Sequence, residues 1–216
     1  MHIIYEDNHL FVVNKPSGFL TQPSGTDQEN LQDAAKQWIR QKYHKKGNVF
    51  LEPVHRLDKA ASGIVVFART SKALSRLMGA IRNRQVKKTY HAWVEGMPPS
   101  QEGTLEHYLV HDNYKSRVVS KETSNAKQAL LHYRILKREA DRTLVEIDLE
   151  TGRYHQIRSQ FAEVGCPIVR DTKYGSRVSG KGQGICLHHF RMEIPHPISN
   201  KLLKFEGKGP GKGPRD

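Results

Sequence analysis

The chain opens with two short apolar runs, residues 3–5 and 10–14, separated by the turn-forming Glu6-Asp7-Asn8. This predicts two strands, the second broken by Lys15-Pro16-Ser17-Gly18. The period then changes. Leu31, Ala34, Ala35, Trp38 and Ile39 recur at helical spacing, with Asn30 placed to cap the start and Gly47 beyond the end. Residues 63–68 form the longest apolar stretch, as expected of a strand buried on both faces. In the next helix Ser71 can cap, and Leu74, Leu77, Met78 and Ile81 share one face. Five strands follow in succession, over residues 89–95, 104–110, 117–120, 126–136 and 143–149. A third helix over residues 154–164 turns Ile157, Phe161 and Val164 inward, with Gly165 at its C-terminal cap and Pro167 stopping it. A last strand over residues 185–194 closes the pattern.

Consecutive strands without intervening helices argue against a doubly wound fold and for α+β, with a large, mixed, mostly antiparallel sheet. The 216 residues suffice for one core without staples, so residues 1–206 are expected to form one domain. Residues 207–216, GKGPGKGPRD, carry no apolar side chain and are expected to be a disordered tail. Nothing approaches the ~18 apolar residues of a membrane span. The start, MHIIYEDN, lacks the basic and apolar regions of a secretory signal. Two cysteines, Cys166 and Cys186, exclude a disulfide scaffold and a four-thiolate zinc site. A cytoplasmic, monomeric protein is the expectation.

Charge adds a partner. Lys+Arg 35 against Asp+Glu 22 leaves a formal net charge of +13. Such an excess suggests a polyanion, most often nucleic acid. Arg69, Lys72, Arg76, Arg82, Arg84, Lys87 and Lys88 form a candidate phosphate track, and a solvated basic face is the rival reading.

Three segments could carry chemistry. In His55-Arg56-Leu57-Asp58, an extended backbone would put Arg56 and Asp58 on one face and Leu57 on the other. An ionised carboxylate at Asp58 could attack carbon or take a proton, although the segment also fits an ordinary surface Arg–Asp pair. Thr151-Gly152-Arg153-Tyr154-His155-Gln156-Ile157-Arg158 follows a strand and opens a helix, where an anion can bind. Arg158 could there pair with a carboxylate, Asp58 among the candidates; a solvated helix start is the plain alternative. In Lys87-Lys88-Thr89-Tyr90-His91-Ala92-Trp93, Tyr90 could stack on a base or simply pack in its strand. The histidines show no metal-ligand spacing, and no P-loop or dinucleotide fingerprint is present.

Taken in order, these segments resemble the RluA-type family of pseudouridine synthases, from about Ile4 to about Pro197. The resemblance rests on Tyr5-Glu6-Asp7-Asn8-His9-Leu10 with Val13-Asn14-Lys15-Pro16-Ser17-Gly18. It continues through His55-Arg56-Leu57-Asp58 with Ser62-Gly63, and Lys88-Thr89-Tyr90-His91-Ala92 with Gly96. Gly152-Arg153-Tyr154-His155-Gln156-Ile157-Arg158 then leads to Gly165-Cys166-Pro167-Ile168 and Asp171-Thr172-Lys173-Tyr174-Gly175; Leu187-His188 and His196-Pro197 end the series. Ala61, Cys166 and His189 depart from the usual residues, and none is assigned to chemistry. The family's accessory RNA-binding domain is not expected here.

The resemblance implies a pseudouridine synthase fold with a central cleft and isomerisation of a uridine in ribosomal or transfer RNA, without cofactor or metal. It assigns Asp58 as nucleophile at C1′ or base at C2′, Tyr90 as the ring stacked on the base, and Arg158 as the partner of Asp58. Arg56, His55, Arg153, His155, Gln156, Ile157, Lys88 and Leu187 would contact the substrate, and the target base would flip out of its stack. The rivals are a non-catalytic RNA-binding protein on the same fold, a DNA-binding module, and a hydrolase needing a second acid, for which Asp171 and Asp148 are nominal candidates.

Overall fold

The computed structural model describes residues 1–180 and 184–207. Most of the predicted tail, residues 208–216, lies outside the described residues; Gly207 is buried and donates its N–H to the Phe190 carbonyl. Among the described residues the chain forms eleven strands and three α-helices, gathered in two compact units. No helix among them is long and apolar enough to cross a membrane. All of the strand pairings that follow with a stated register are antiparallel, within an α+β fold.

The first unit holds β1 (His2–Glu6), β2 (Leu10–Lys15), α1 (Leu31–Lys42), β3 (Glu52–Pro53), β4 (Ser62–Ala68) and α2 (Ser71–Arg82). The turn between β1 and β2 is held by Asp7, whose Oδ1 accepts the N–H groups of His9 and Leu10, both at 2.7 Å. β2 pairs with β4 from Leu10↔Ala68 to Lys15↔Gly63. Both strands are buried almost throughout, as the apolar run of β4 predicted. Asn30 caps α1 through Asp33 N–H.

α2 departs from expectation in two ways. Its cap is Thr70, not Ser71. Its buried face is Ala73, Leu77 and Ala80, and Met78 is 37% exposed. The small alanines let the helix lie close, so the larger Leu74 and Ile81 pack only at its margins.

The second unit contains β5 (Lys87–Glu95), β6 (Glu102–Asp112), β7 (Lys115–Val119), β8 (Lys127–Arg138), β9 (Arg142–Leu149) and α3 (Gln156–Glu163). Its strand order is β5-β9-β8-β6-β7, so the predicted succession of five strands is present. α3 is shorter than predicted, starting at Gln156 rather than 154 because His155 sits in the left-handed region at φ 50°. It is buried on nearly every side, through Gln156, Arg158, Ser159 and Gln160 as well as Ile157 and Phe161. Most of its polar groups meet partners that offset their desolvation, while Gln160 Oε1 is buried with no hydrogen-bond partner among the described residues. Ser159 donates to the carbonyls of His155 and Gln156, and Gln160 to those of Leu105 and Ala129.

The chain then forms β10 (Leu187–Pro195) and returns to the first unit, where β11 (Leu202–Glu206) pairs with β10. The sequence pattern showed neither β11 nor the two-residue β3. In the first unit the strand order is β1-β2-β4-β10. Leu10, Val12, Ile64, Val66, Leu77, Met192, Ile194 and Phe205 fill its core.

Candidate active site

In the first unit, the segment carrying Asp58 leaves β3 and runs beside β4. Val54 donates its N–H to Val66 O, and His55 Nε2 accepts the N–H of Val66 at 3.3 Å. His55 thus takes over a hydrogen bond that a neighbouring strand would otherwise make. From there the backbone leaves regular strand structure, and burial alternates: Arg56 exposed, Leu57 buried, Asp58 half-buried. Thr21 clamps Leu57 twice, its hydroxyl donating to the carbonyl at 3.0 Å and accepting the N–H at 3.1 Å. Asp58 O accepts Ala61 N–H, and Lys59 O accepts Gly18 N–H.

Lys15 is a candidate functional residue that the sequence reading left without a role. It is fully buried, and its ammonium donates to the carbonyls of Pro16, Phe19 and Lys59 at 3.0, 2.9 and 3.3 Å. Burial pushes its pKa down to about 8, against the attraction of the Asp58 charge. One cation therefore ties the Pro16–Phe19 turn to the Asp58 loop and sits in the carboxylate's field. The available signal was a lysine ending a run of apolar strand residues.

Two cations of the proposed phosphate track are engaged within this unit. Arg69 donates to Glu6 Oε1 and lies over the Tyr43 ring, and Arg76 donates to the carbonyl of Pro197.

The second unit carries Tyr90, Arg158 and most of the predicted substrate contacts. Tyr90 is 7% exposed on β5, opposite Ile147 of β9. Lys88 lies with its ammonium 3.5 Å from where a Cβ on Gly152 would stand. Burial lowers its pKa and Glu150 opposes the shift. A Cβ at 152 would make ordinary van der Waals contact with that amine. Arg153 is exposed and donates from Nε to Gln128 O. Gln156 is buried and braces its own loop: Oε1 accepts from Thr151 Oγ1 and Arg153 N–H, and Nε2 donates to Leu130 O. Ile157 and Leu187 are each 5% exposed.

Arg158 is buried, and within this unit its partner is Asp171. Nε donates to Oδ2 at 2.6 Å and Nη2 to Oδ1 at 2.8 Å, a bidentate pair. Tyr174 lies under it, the guanidinium carbon 4.9 Å from the ring centre. Tyr174 Oη accepts Ser116 N–H at 2.7 Å and meets His155 Nδ1 at 2.9 Å. The acids that a hydrolytic reading needs are engaged: Asp171 with Arg158, and Asp148 Oδ1 with the hydroxyl of Thr89 at 2.8 Å. Among the described residues no cluster of three His, Cys, Asp or Glu could hold a metal ion.

Burial, reinforced by the Arg158 charge, pushes the His155 pKa down to about 3. Burial and His91 push that of His188 down to about 4. Below the ordinary value of 6.5 the unfolded chain therefore takes up protons that the folded protein refuses. Stability falls as pH drops through this window. The thermal midpoint is expected to decline from pH 6.5 towards 4, and His188→Gln to flatten that decline; an unchanged slope in the variant would contradict the assignment.

Comparison with known proteins identifies the family. The RNA pseudouridylate synthase family matches residues 9–163. The dual-specificity RNA pseudouridine synthase RluA of Haemophilus influenzae is 35% identical over 96% of this chain and 93% of its own. The ribosomal large subunit pseudouridine synthase D of Zymomonas mobilis is 31% identical, covering 97% of this chain and 69% of its own. The structure of Human RNA Pseudouridylate Synthase Domain Containing 4 shares the fold, with a TM-score of 0.82 at 24% identity over 97% of this chain and 89% of its own. With a family match that takes in the segments of Asp58, Tyr90 and Arg158, and a relative 35% identical along 93% of its own length, the chain belongs to the RluA-type family of RNA pseudouridine synthases, isomerases that act on RNA.

Proposed function

We propose that this protein isomerises a flipped uridine in structured ribosomal or transfer RNA, with Asp58, Tyr90 and Arg158 acting on the same nucleotide. The observation that carries this reading is the 35% identity to a dual-specificity synthase along 93% of that enzyme's length. A second relative is named for the large ribosomal subunit. The reaction balances within the substrate: the N1–C1′ bond breaks, a C5–C1′ bond forms, the C5 proton leaves and N1 gains one. Asp58 supplies the carboxylate that attacks C1′ or takes the C2′ proton. Tyr90, on a strand with fixed register, stacks on the base and assists loss of the C5 proton. Arg158 orients the carboxylate chemistry from a buried, braced position. Arg56, exposed two residues from Asp58, meets the RNA backbone or displaces the base. In this reading Lys88, His55, Arg153, His155, Gln156, Ile157 and Leu187 contact the substrate; His155, Gln156, Ile157 and Leu187 are buried.

Reaching a carboxylate in a folded site requires the uridine to leave its stack, which costs least in loops and bulges. The enzyme works as a cytoplasmic monomer in this reading. The test is tritium release from C5-tritiated ribosomal and transfer RNA, with pseudouridine mapping in cells with and without the gene. Tyr90→Phe is expected to keep RNA binding and lose turnover; loss of binding would contradict the stacking role. Release of free uracil would overturn the isomerase reading.

A further inference from the structure

The proposed function leaves Asp171 and Tyr174 without a task, yet both are spent on one side chain. They stand three residues apart on a single turn, at the ends of the segment 171–174. Asp171 is 1% exposed, and its two oxygens take the Nε–Nη2 edge of Arg158 in the plane of the guanidinium. The guanidinium carbon stands over the Tyr174 ring, 4.9 Å from its centre. The bidentate bonds fix where the guanidinium sits and how it is turned; the ring limits its movement on the other side. One restraint alone would leave the other motion open.

The turn is itself rigid. Asp171 O accepts the N–H groups of Tyr174 and Ser176, and Asp171 N–H reaches Ile168 O. The far end of the Tyr174 ring is pinned by Ser116 N–H and by His155 Nδ1. His155 is kept neutral by burial, so it does not repel Arg158. A buried guanidinium needs such a counter-charge, but it does not need a second aromatic restraint.

We infer that Asp171 and Tyr174 are positioning residues that hold Arg158 in its working orientation. The inference rests on the reading that Arg158 takes part in the reaction, and the test separates the two. The experiment measures kcat and KM for tritium release, RNA affinity and thermal midpoint for Asp171→Asn, Tyr174→Leu, Tyr174→Phe, Arg158→Lys and the double variant Arg158→Lys with Asp171→Asn. Asp171→Asn keeps the shape and loses the ionic fork, and kcat is expected to fall about 100-fold, the scale of a misplaced reacting group, with KM and RNA affinity unchanged. Tyr174→Leu is expected to lower kcat about tenfold, as the loss of a face-on cation–π contact would. Tyr174→Phe keeps the ring and should lose less than Tyr174→Leu. In the Arg158→Lys background, Asp171→Asn should add little, because residues acting as one unit are not additive.

Wild-type kcat in both Asp171→Asn and Tyr174→Leu, with Arg158→Lys inactive, overturns the inference and leaves the role of Arg158 standing. Multiplicative losses in the double variant also overturn it, since they mark a purely structural effect. Full activity in Arg158→Lys removes the ground for both. Should Asp171→Asn fail to fold, Tyr174→Leu decides, because Tyr174 is only half-buried and its replacement leaves the ion pair in place.

Discussion

Asp58→Asn is expected to abolish tritium release from C5-tritiated uridine RNA while leaving RNA binding nearly intact. Asparagine has the shape of aspartate and neither its charge nor its basicity. The loop should survive the change because several of its tethers are built from other atoms. Thr21 holds Leu57 from both sides, Lys15 and Gly18 hold the Lys59 carbonyl, and the Asp58 carbonyl accepts Ala61 N–H. None of these bonds uses the carboxylate. Lys15, supported by the Asp58 charge, should lose proton affinity in the variant and titrate below about 8.

The size of the loss carries information. Removing a general base costs about 10²–10⁴-fold. Removing a nucleophile leaves no route to a covalent intermediate, so the loss should exceed that range. Undiminished activity in Asp58→Asn would sink the catalytic assignment and return the protein to the class of RNA-binding proteins on this fold.

How much of this was visible beforehand depends on which forces the sequence displays. Strands with apolar alternation and helices with a periodic face could be read directly, because hydrophobic burial leaves a period in the chain. The Asn30 cap could be read because the acceptor precedes the helix at a fixed position. The α2 cap was one residue off, since Thr70 and Ser71 are both hydroxyl residues and only the backbone conformation separates them. β11 was missed because its side chains read as an exposed edge, with Phe205 alone buried. α3 was read as amphipathic, yet it is buried through Gln156, Arg158, Ser159 and Gln160. Polar burial depends on partners distant in the chain, such as Leu105 and Asp171, and no local period announces them. The segments proposed to carry the reaction were legible as motifs. The braces, Lys15 under the Asp58 loop and Tyr174 under Arg158, became legible only in three dimensions.

Gly63→Ala is expected to be the most damaging small substitution in the first unit, and the reason is backbone against backbone. A Cβ at position 63 would stand 2.4 Å from both the N and the O of His189. Main-chain atoms of a paired strand cannot rotate aside as a side chain can, so β4 must move off β10. Position 63 also has φ +120°, a region that costs a residue with a Cβ about 1–3 kcal/mol before any contact is counted. Overpacking adds roughly 1–3 kcal/mol more. At about 2–4 °C per kcal/mol for a protein of this size, the midpoint should fall by roughly 4–24 °C. Gly18→Ala separates the two causes. It too has positive φ, +90°, but nothing stands within 4 Å of its added Cβ, so it should lose only the conformational share. Equal losses in the two variants would show that contact with His189 contributes nothing. A larger loss in Gly63→Ala, with activity falling as the Asp58 loop loses its anchor strand, is the expected result.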